Sequence, residues 1–387
     1  MLLNPTRTAN LILLLVIAIF QAPALADDSH LDEVTADKEI QKWIEQLGDP
    51  SFTVRQNANR KLIEAGIAAL PQLRRAANHP DRELGYRVER LIDFMDRVSL
   101  RQQVDAFLAS DDPASFGMPG WPEYAELMKD VPAARLLFAD MLRNEISLLK
   151  KFGPGGNTDY KSLIEERLQE IQEETNGNSD EVDVGSFAAV CFCIQRRGIK
   201  LDYNHQMLLF NVTLLRQIKS AVQSGERKDA LVLLINLTMI ENQDFSDLLA
   251  IGCGSELKLE SVVPRAKMIF EKKNNPTSLR QQALLTIGRT GKRSDVDFLE
   301  KHFDDDAVSS IMRDGEFKTT LGDIAFAAAI LLSKQELADY GLDREKPIFF
   351  ADAEQRAAAH AKFAKYRTTE KAESESDEAG ENQHRGE

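Results

Sequence analysis

Residues 49–66 read DPSFTVRQNANRKLIEAG, one turn followed by one amphipathic helix. Asp49-Pro50-Ser51 is the turn, because proline fixes φ and is accepted at or before a first helical turn. Ser51 is placed to cap the exposed amides there. Val54, Ala58, Leu62 and Ala65 then fall at steps of four and three, which puts them on one face, while Arg55, Asn59 and Arg60 point elsewhere. Gly66 supplies the stop. A second helix follows with Ile67, Leu70, Leu73 and Ala77 on one side, and Pro80-Asp81 breaks it. A third carries Leu84, Val88, Leu91, Ile92, Met95 and Val98 at helical spacing.

The pattern returns later in the chain. Val54-Arg55-Gln56-Asn57-Ala58 aligns with Leu279-Arg280-Gln281-Gln282-Ala283, and Gly66 and Gly291 each lie 11 residues after their arginine (66 − 55 and 291 − 280). Asp81 and Asp306 each follow that glycine by 15 (81 − 66 and 306 − 291), and Pro276 precedes the second copy much as Pro50 precedes the first. Fixed spacing of this kind marks a helical repeat unit. On these residues the chain resembles HEAT repeats, whose two antiparallel helices are joined by an Asp/Pro turn that leads into Val-Arg. The second copy departs from the pattern at Asn274 and Leu279. More narrowly, Pro119-Gly120-Trp121 with Ala133-Ala134-Arg135-Leu136-Leu137-Phe138, and Gly322-Asp323-Ile324-Ala325 with Asp339-Tyr340-Gly341, resemble exported HEAT-repeat proteins of planctomycete bacteria. The resemblance implies an α-solenoid, and it specifies a fold far better than an activity.

Long helical windows and few alternating runs argue for an all-α fold across the 387 residues. The organisation expected is a signal peptide (1–26), a linker (27–37), N-terminal HEAT-like repeats (38–110), a central irregular helical region (111–260), C-terminal HEAT-like repeats (261–366) and a disordered acidic tail (367–387). The leader has Arg7 as its positive region, the apolar run Leu11 to Phe20, and small residues at Ala24 and Ala26, which places cleavage after Ala26. The run is shorter than the ~20 residues needed to cross a bilayer. A periplasmic or secreted product is therefore expected, without stable membrane insertion after cleavage. The tail from Thr368 carries Glu, Ser and Asp with almost no apolar residue, a composition too polar to fold.

Charge excludes other classes. The formal net charge is −14, and −15 once Arg7 leaves with the leader (−14 − 1). Nucleic-acid binding needs a basic surface that displaces counterions, and adsorption to anionic lipid needs the same.

No catalytic, cofactor or metal constellation is legible. The six histidines, His30, His79, His205, His302, His360 and His384, are scattered. His205, beside Met207-Leu208-Leu209, is the one in core-like surroundings and reads as a structural histidine. Gly153, Gly155 and Gly156 follow no strand and lack the Lys-Ser/Thr ending of a phosphate loop. Asp304-Asp305-Asp306 lacks the alternating ligands of a calcium loop and reads as a helix-end loop. Ile251-Gly252-Cys253-Gly254-Ser255 reads as a turn without the setting of a hydrolase elbow. Cys191 and Cys193 sit on an apolar helix from Phe187 to Ile194. A bridge from either to Cys253 is geometrically open, and a soft-metal Cys-x-Cys site lacks a neighbouring His or Met. Three buried thiols are the reading adopted. The sequons at Asn211 and Asn236 lie inside apolar helices, where a modified Asn would be buried.

Two functions from different classes remain. One is a non-catalytic scaffold that binds a protein or peptide on the polar face of the second helix of each pair: Arg55, Asn59 and Arg60 in one block, Arg280, Gln281 and Thr286 in the other. An arginine at this repeat position is equally suited to hydrogen bonds within the stack. The other is an enzyme acting on a small molecule or peptide, with the Pro- and Gly-rich loop 111–122 and its Trp121 as lid. A Trp on such a loop also serves as a plug against neighbouring helices. Oligomeric state is not legible in the sequence.

Overall fold

The computed structural model describes residues 29–152, 159–176, 182–312, 317–342, 350 and 352–384. The expected leader, the glycine run 153–157 and Pro347 lie outside them. The chain divides into two compact units, Met1–Asp105 and Ala106–Glu387.

The first unit holds α1 (Ser29–Gln46), α2 (Phe52–Ala65), a 3-10 turn (Gly66–Ala69), α3 (Leu70–Ala76) and most of α4 (Arg82–Ala109). The expected linker is thus already helical from Ser29. The apolar steps read from the sequence meet in one core: Ile40, Ile44 and Leu47 of α1 and its following turn, Ala58 and Leu62 of α2, Leu70 and Leu73 of α3, and Leu84, Val88, Leu91 and Met95 of α4. Ile67 and Val98 are corrections, since they are 67% and 40% exposed. Ser51 does not cap α2 with its hydroxyl. Asp49 instead shapes the turn ahead of the helix, accepting the Ser51 amide at 2.7 Å. Arg55 then reaches back to donate to the carbonyls of Asp49 (2.7 Å) and Pro50 (2.8 Å). Gly66 ends α2 at φ +59°, a left-handed value that glycine adopts without Cβ strain.

The second unit continues with α5 (Trp121–Met128), α6 (Pro132–Lys151), α7 (Tyr160–Asn176), α8 (Val184–Arg197), α9 (Tyr203–Thr213), α10 (Arg216–Gln223) and α11 (Lys228–Ile235). A π-turn (Asn236–Ile240) follows, then α12 (Asp247–Leu257), α13 (Val263–Glu271), α14 (Thr277–Thr290), α15 (Val296–Glu300), strands β1 (Val308–Met312) and β2 (Phe317–Thr320), α16 (Leu321–Leu332) and α17 (Ala353–His384). Every residue of α8 from Gly185 to Ile194 is buried, as its apolar composition requires. It packs closely on α6, where a Cβ at Gly185 would collide with the Asp140 carbonyl. In α6 the backbone leaves helical geometry at Glu145 (φ −129°, ψ 31°). That buried carboxylate takes two hydrogen bonds from Arg167 of α7, at 2.7 and 2.9 Å.

Four sequence expectations change here. Residues 251–255 form no turn: they lie inside α12, whose glycines allow close packing, a Cβ at Gly254 being blocked by Val262. Residues 207–222, whose apolar run predicts one helix, fall in two, broken at Leu214–Leu215. The fold is nearly all helix but includes an antiparallel hairpin, with Ile311 opposite Lys318 and a bulge between Val308 and Ser310. The expected disordered tail is helical to His384, because its Glu, Ala and Lys are strong helix formers even where they have no apolar face to bury. Arg367 holds the last described side chains, pairing with Asp297, Glu300 and Glu370. At the place of the sequence echo α13 and α14 pack on each other, and α14 also packs on α12 and α16.

Two buried charges organise this unit. Arg265 of α13, with a side chain 4% exposed, donates to the carbonyls of Met239 (3.0 Å), Ile240 (2.8 Å), Asn242 (2.9 Å) and Phe245 (2.5 Å) and to Asp247 (2.8 and 2.9 Å). Asp323, 1% exposed, closes a capping box with Thr320 and accepts two bonds from Arg356. Nearby, the His360 ring lies 4.4 Å from Phe326 and 5.2 Å from Phe303, and its Nε2 has no hydrogen-bond partner among the described residues. His302 lies against Phe270 and Phe298.

Arg265→Met is expected to destabilise the protein by about 3–5 kcal/mol, since it strands four buried carbonyls and a carboxylate. Lysine should recover little, because an ammonium cannot reproduce the planar fork. Urea unfolding midpoints test both. Burial lowers the pKa of both His302 and His360 from the ordinary histidine value, so the fold prefers neutral rings. Above about pH 6.5 both states are neutral and the stability is complete. As pH falls below that, the unfolded chain takes up protons first and stability declines until the folded rings also titrate. Melting temperature should therefore drop between pH 7 and pH 5, and drop less in a His302→Asn/His360→Asn double variant.

Candidate functional site

The six polar residues expected to line a binding face do not behave alike. Arg280 is buried, donating to the Phe270 carbonyl (2.9 Å) and Asp305 (2.6 Å) while its guanidinium lies over the Phe270 ring. Thr286 is also buried, so the C-terminal block offers only Gln281, half-buried, for a surface. The correction has a plain cause: in this block the second helix is covered by α16, so its polar groups satisfy the interior. Asp305 belongs to the same network, accepting the Ala307 amide as well as Arg280, which makes the acidic triplet a helix-end loop.

The N-terminal block is different. Arg55 and Asn59 of α2 and Arg87 and Arg90 of α4 line a groove of about 410 Å³, with Phe52, Ile63 and Phe94 as its apolar walls. Phe52 is 67% and Phe94 43% exposed, large apolar areas for single aromatic side chains to leave in water. Arg60 is not part of it; it pairs with Glu64 and Asn57. The groove is cationic. The Nε atoms of Arg55 and Arg87 are buried without an acceptor among the described residues. Arg87 is held from outside by Glu83 at 2.5 Å. Arg90 lies over the Tyr86 ring and has no carboxylate partner among the described residues. No acidic residue lines the groove. A second cavity in this unit, about 520 Å³, is lined by Glu45, Asp49, Asp81, Arg75 and His79, so its carboxylates offset its cations. Chemically, the first groove is suited to an anionic group flanked by apolar side chains, since guanidinium binds carboxylate through charge-assisted bonds.

Sequence reading found Arg55 and Asn59 but missed Phe52, Arg87, Arg90 and Phe94. The available signal was that Phe52 and Phe94 lie off the apolar steps of their helices. The loop 111–122 does not present its tryptophan. Trp121 opens α5 and is 2% exposed, packed on Phe107 (4.8 Å between ring centres) and Phe138 (5.1 Å), so the ring is a plug with no free face. Asn211 is exposed, against the expectation of burial, whereas Asn236 is half-buried and accepts from Ser261.

Cys191, Cys193 and Cys253 are buried and unbridged. Desolvation raises all three thiols, Cys253 to about 12, so none offers a thiolate at neutral pH. A disulfide-forming reagent at pH 8 should label the native protein at least about a thousandfold more slowly than the unfolded chain, reaction requiring an opening of the fold. Rapid labelling of even one thiol in the native state would contradict this burial.

Among the described residues no helix is long and apolar enough to cross a membrane. No family model, no curated protein and no solved structure matches the chain, so its function is read from its own geometry.

Proposed function

We propose that this chain is an exported, non-catalytic interaction protein built on HEAT-like helical hairpins, and that its N-terminal unit captures a peptide segment carrying carboxylates beside apolar side chains. The export reading rests on Arg7, the run Leu11 to Phe20 and the small residues Ala24 and Ala26. The hairpin reading rests on the Arg55 and Arg280 echoes, each of which ties the second helix of a pair to the carbonyls that precede it. A solenoid of such hairpins leaves second-helix faces open for partners.

One observation carries the binding reading. In a chain of net charge −14, three arginines face a groove with no carboxylate in it, between aromatic walls that remain exposed. Buried guanidinium nitrogens without acceptors are costly unless a ligand completes them. An acidic amphipathic segment does so while covering Phe52 and Phe94, the helix-in-groove mode of recognition. The enzymatic alternative, with loop 111–122 as lid, has no observation in its favour, because Trp121 is fully engaged in packing.

The test uses the processed full chain and two labelled amphipathic peptides of equal length, one with Glu and Leu, the other with Lys and Leu on the same positions. Fluorescence anisotropy should show the Glu peptide binding at micromolar strength, with affinity falling as salt rises. Arg90→Glu, at an exposed and unpaired position, should weaken binding at least tenfold, about 1.4 kcal/mol. Phe94→Ser should do likewise, with melting temperature little changed. Equal binding of the Lys peptide, or an unaltered Arg90→Glu variant, would refute the reading.

A further inference from the structure

The fold brings Glu165, Asp202 and His205 together, although α7 and the start of α9 are separated in sequence by the whole of α8. One ligand atom from each lies within 4.8 Å of the other two. His205 Nδ1 stands 2.9 Å from Asp202 Oδ1 and 3.4 Å from Glu165 Oε1. Part of this has an ordinary explanation. Asp202 is the N-cap of α9, accepting the His205 amide at 3.0 Å, and a histidine three residues on naturally leans on it.

The cap does not explain Glu165. Its Oε1 is buried and has no hydrogen-bond donor among the described residues. It faces a nitrogen that already has Asp202 as partner. The 2.9 Å contact with Asp202 is the hydrogen bond of Nδ1, and the Glu165 oxygen at 3.4 Å is left with the weaker approach. The nearest other cation, Lys161 Nζ, is 3.6 Å from Oε1, beyond a hydrogen bond, and its side chain is half-exposed. Two carboxylates and an imidazole nitrogen thus converge on one point, where the Glu165 oxygen lacks a hydrogen bond among the described residues.

We propose that Glu165, Asp202 and His205 bind a divalent cation of the zinc class. A tetrahedral zinc with bonds of ~2.0–2.1 Å to N and O has ligand-to-ligand edges of roughly 3.3 Å. The two distances from Nδ1 bracket that value. Mixed N/O ligation suits zinc better than calcium or magnesium, which take oxygen ligands in larger number. The site has a closed side and an open one: the Glu165 and His205 side chains are 19% and 13% exposed, whereas Asp202 is 52% exposed. The ion enters past Asp202 and water completes its shell. Bound there, it cross-links α7 to the first turn of α9. Lys161 is the resident competitor for the Glu165 oxygen.

The experiment uses the full chain stripped with a chelator and dialysed free of it, then titrated with zinc chloride by calorimetry. A thermal melt is recorded at each end of the titration. One ion per chain is expected at micromolar affinity or tighter, with a rise in melting temperature that chelator reverses. Glu165→Gln and His205→Gln keep the cap and the approximate side-chain shape, and each should weaken binding at least tenfold. Lys161→Met removes the competitor and should strengthen binding about threefold, an effect that a cap or a salt bridge alone would not produce. Zinc binding of the same strength in a Glu165→Gln/His205→Gln double variant would overturn the proposal, as would calcium binding more tightly than zinc.

Discussion

Six hydrogen bonds converge on the guanidinium of Arg265, and the second unit is arranged around them. A helix end leaves carbonyls without partners, and burying such an end demands a donor from elsewhere. Here the π-turn ends in the interior, the largely exposed connection to α12 turns its Asn242 and Phe245 carbonyls toward it, and one side chain from α13 answers for both. Arginine alone suits the position, since five donors in a fixed plane can meet acceptors that face different ways. The same solution recurs: Arg135 bridges Asp130 and the Ser110 carbonyl, Arg356 holds the cap of α16, and Arg55 and Arg280 hold the turns before their own helices. The chain closes its helix junctions with cations drawn from the next element.

That habit explains which features were legible in sequence. Apolar steps of three and four placed most helices, and the Arg55 and Arg280 echo falls on two helices, α2 and α14, each in contact with the helix before it, because local periodicity and a repeated arginine both act over short stretches of chain. Misreadings came where tertiary packing overrode local preference. Gly252 and Gly254 look like a turn in isolation, but they lie inside α12, where Gly254 lets Val262 approach more closely than any side chain would allow. The β-hairpin was not anticipated, its two strands of five and four residues being too short to stand out against helix on either side.

The groove was half legible. Arg55 and Asn59 follow from the repeat, while Arg87 and Arg90 depend on how α4 is set against α2, a long-range relation no single stretch encodes. Exposed Phe52 and Phe94 are invisible to any rule that assigns aromatics to the core. The convergence of Glu165 with His205 was out of reach for the same reason: two residues on different helices, neither distinctive alone. Against an overall negative charge, a small cationic surface also gains contrast. Repulsion by the rest of the molecule disfavours other encounters of an acidic ligand and focuses approach on one place.

The π-turn at Asn236–Ile240 bears on how this chain tolerates changes in length. Its closing bond runs from the Glu241 amide to the Asn236 carbonyl at 2.8 Å, five residues apart where an α-turn spans four. The surplus residue delivers the carbonyls of Met239 and Ile240 to the Arg265 guanidinium. Dropping one residue would let α11 continue as a regular helix and rotate everything downstream by roughly a third of a turn. The lesion would not be a local shortening but a lost junction between two layers of the unit, so this five-residue stretch is one of the least forgiving places for an insertion or deletion.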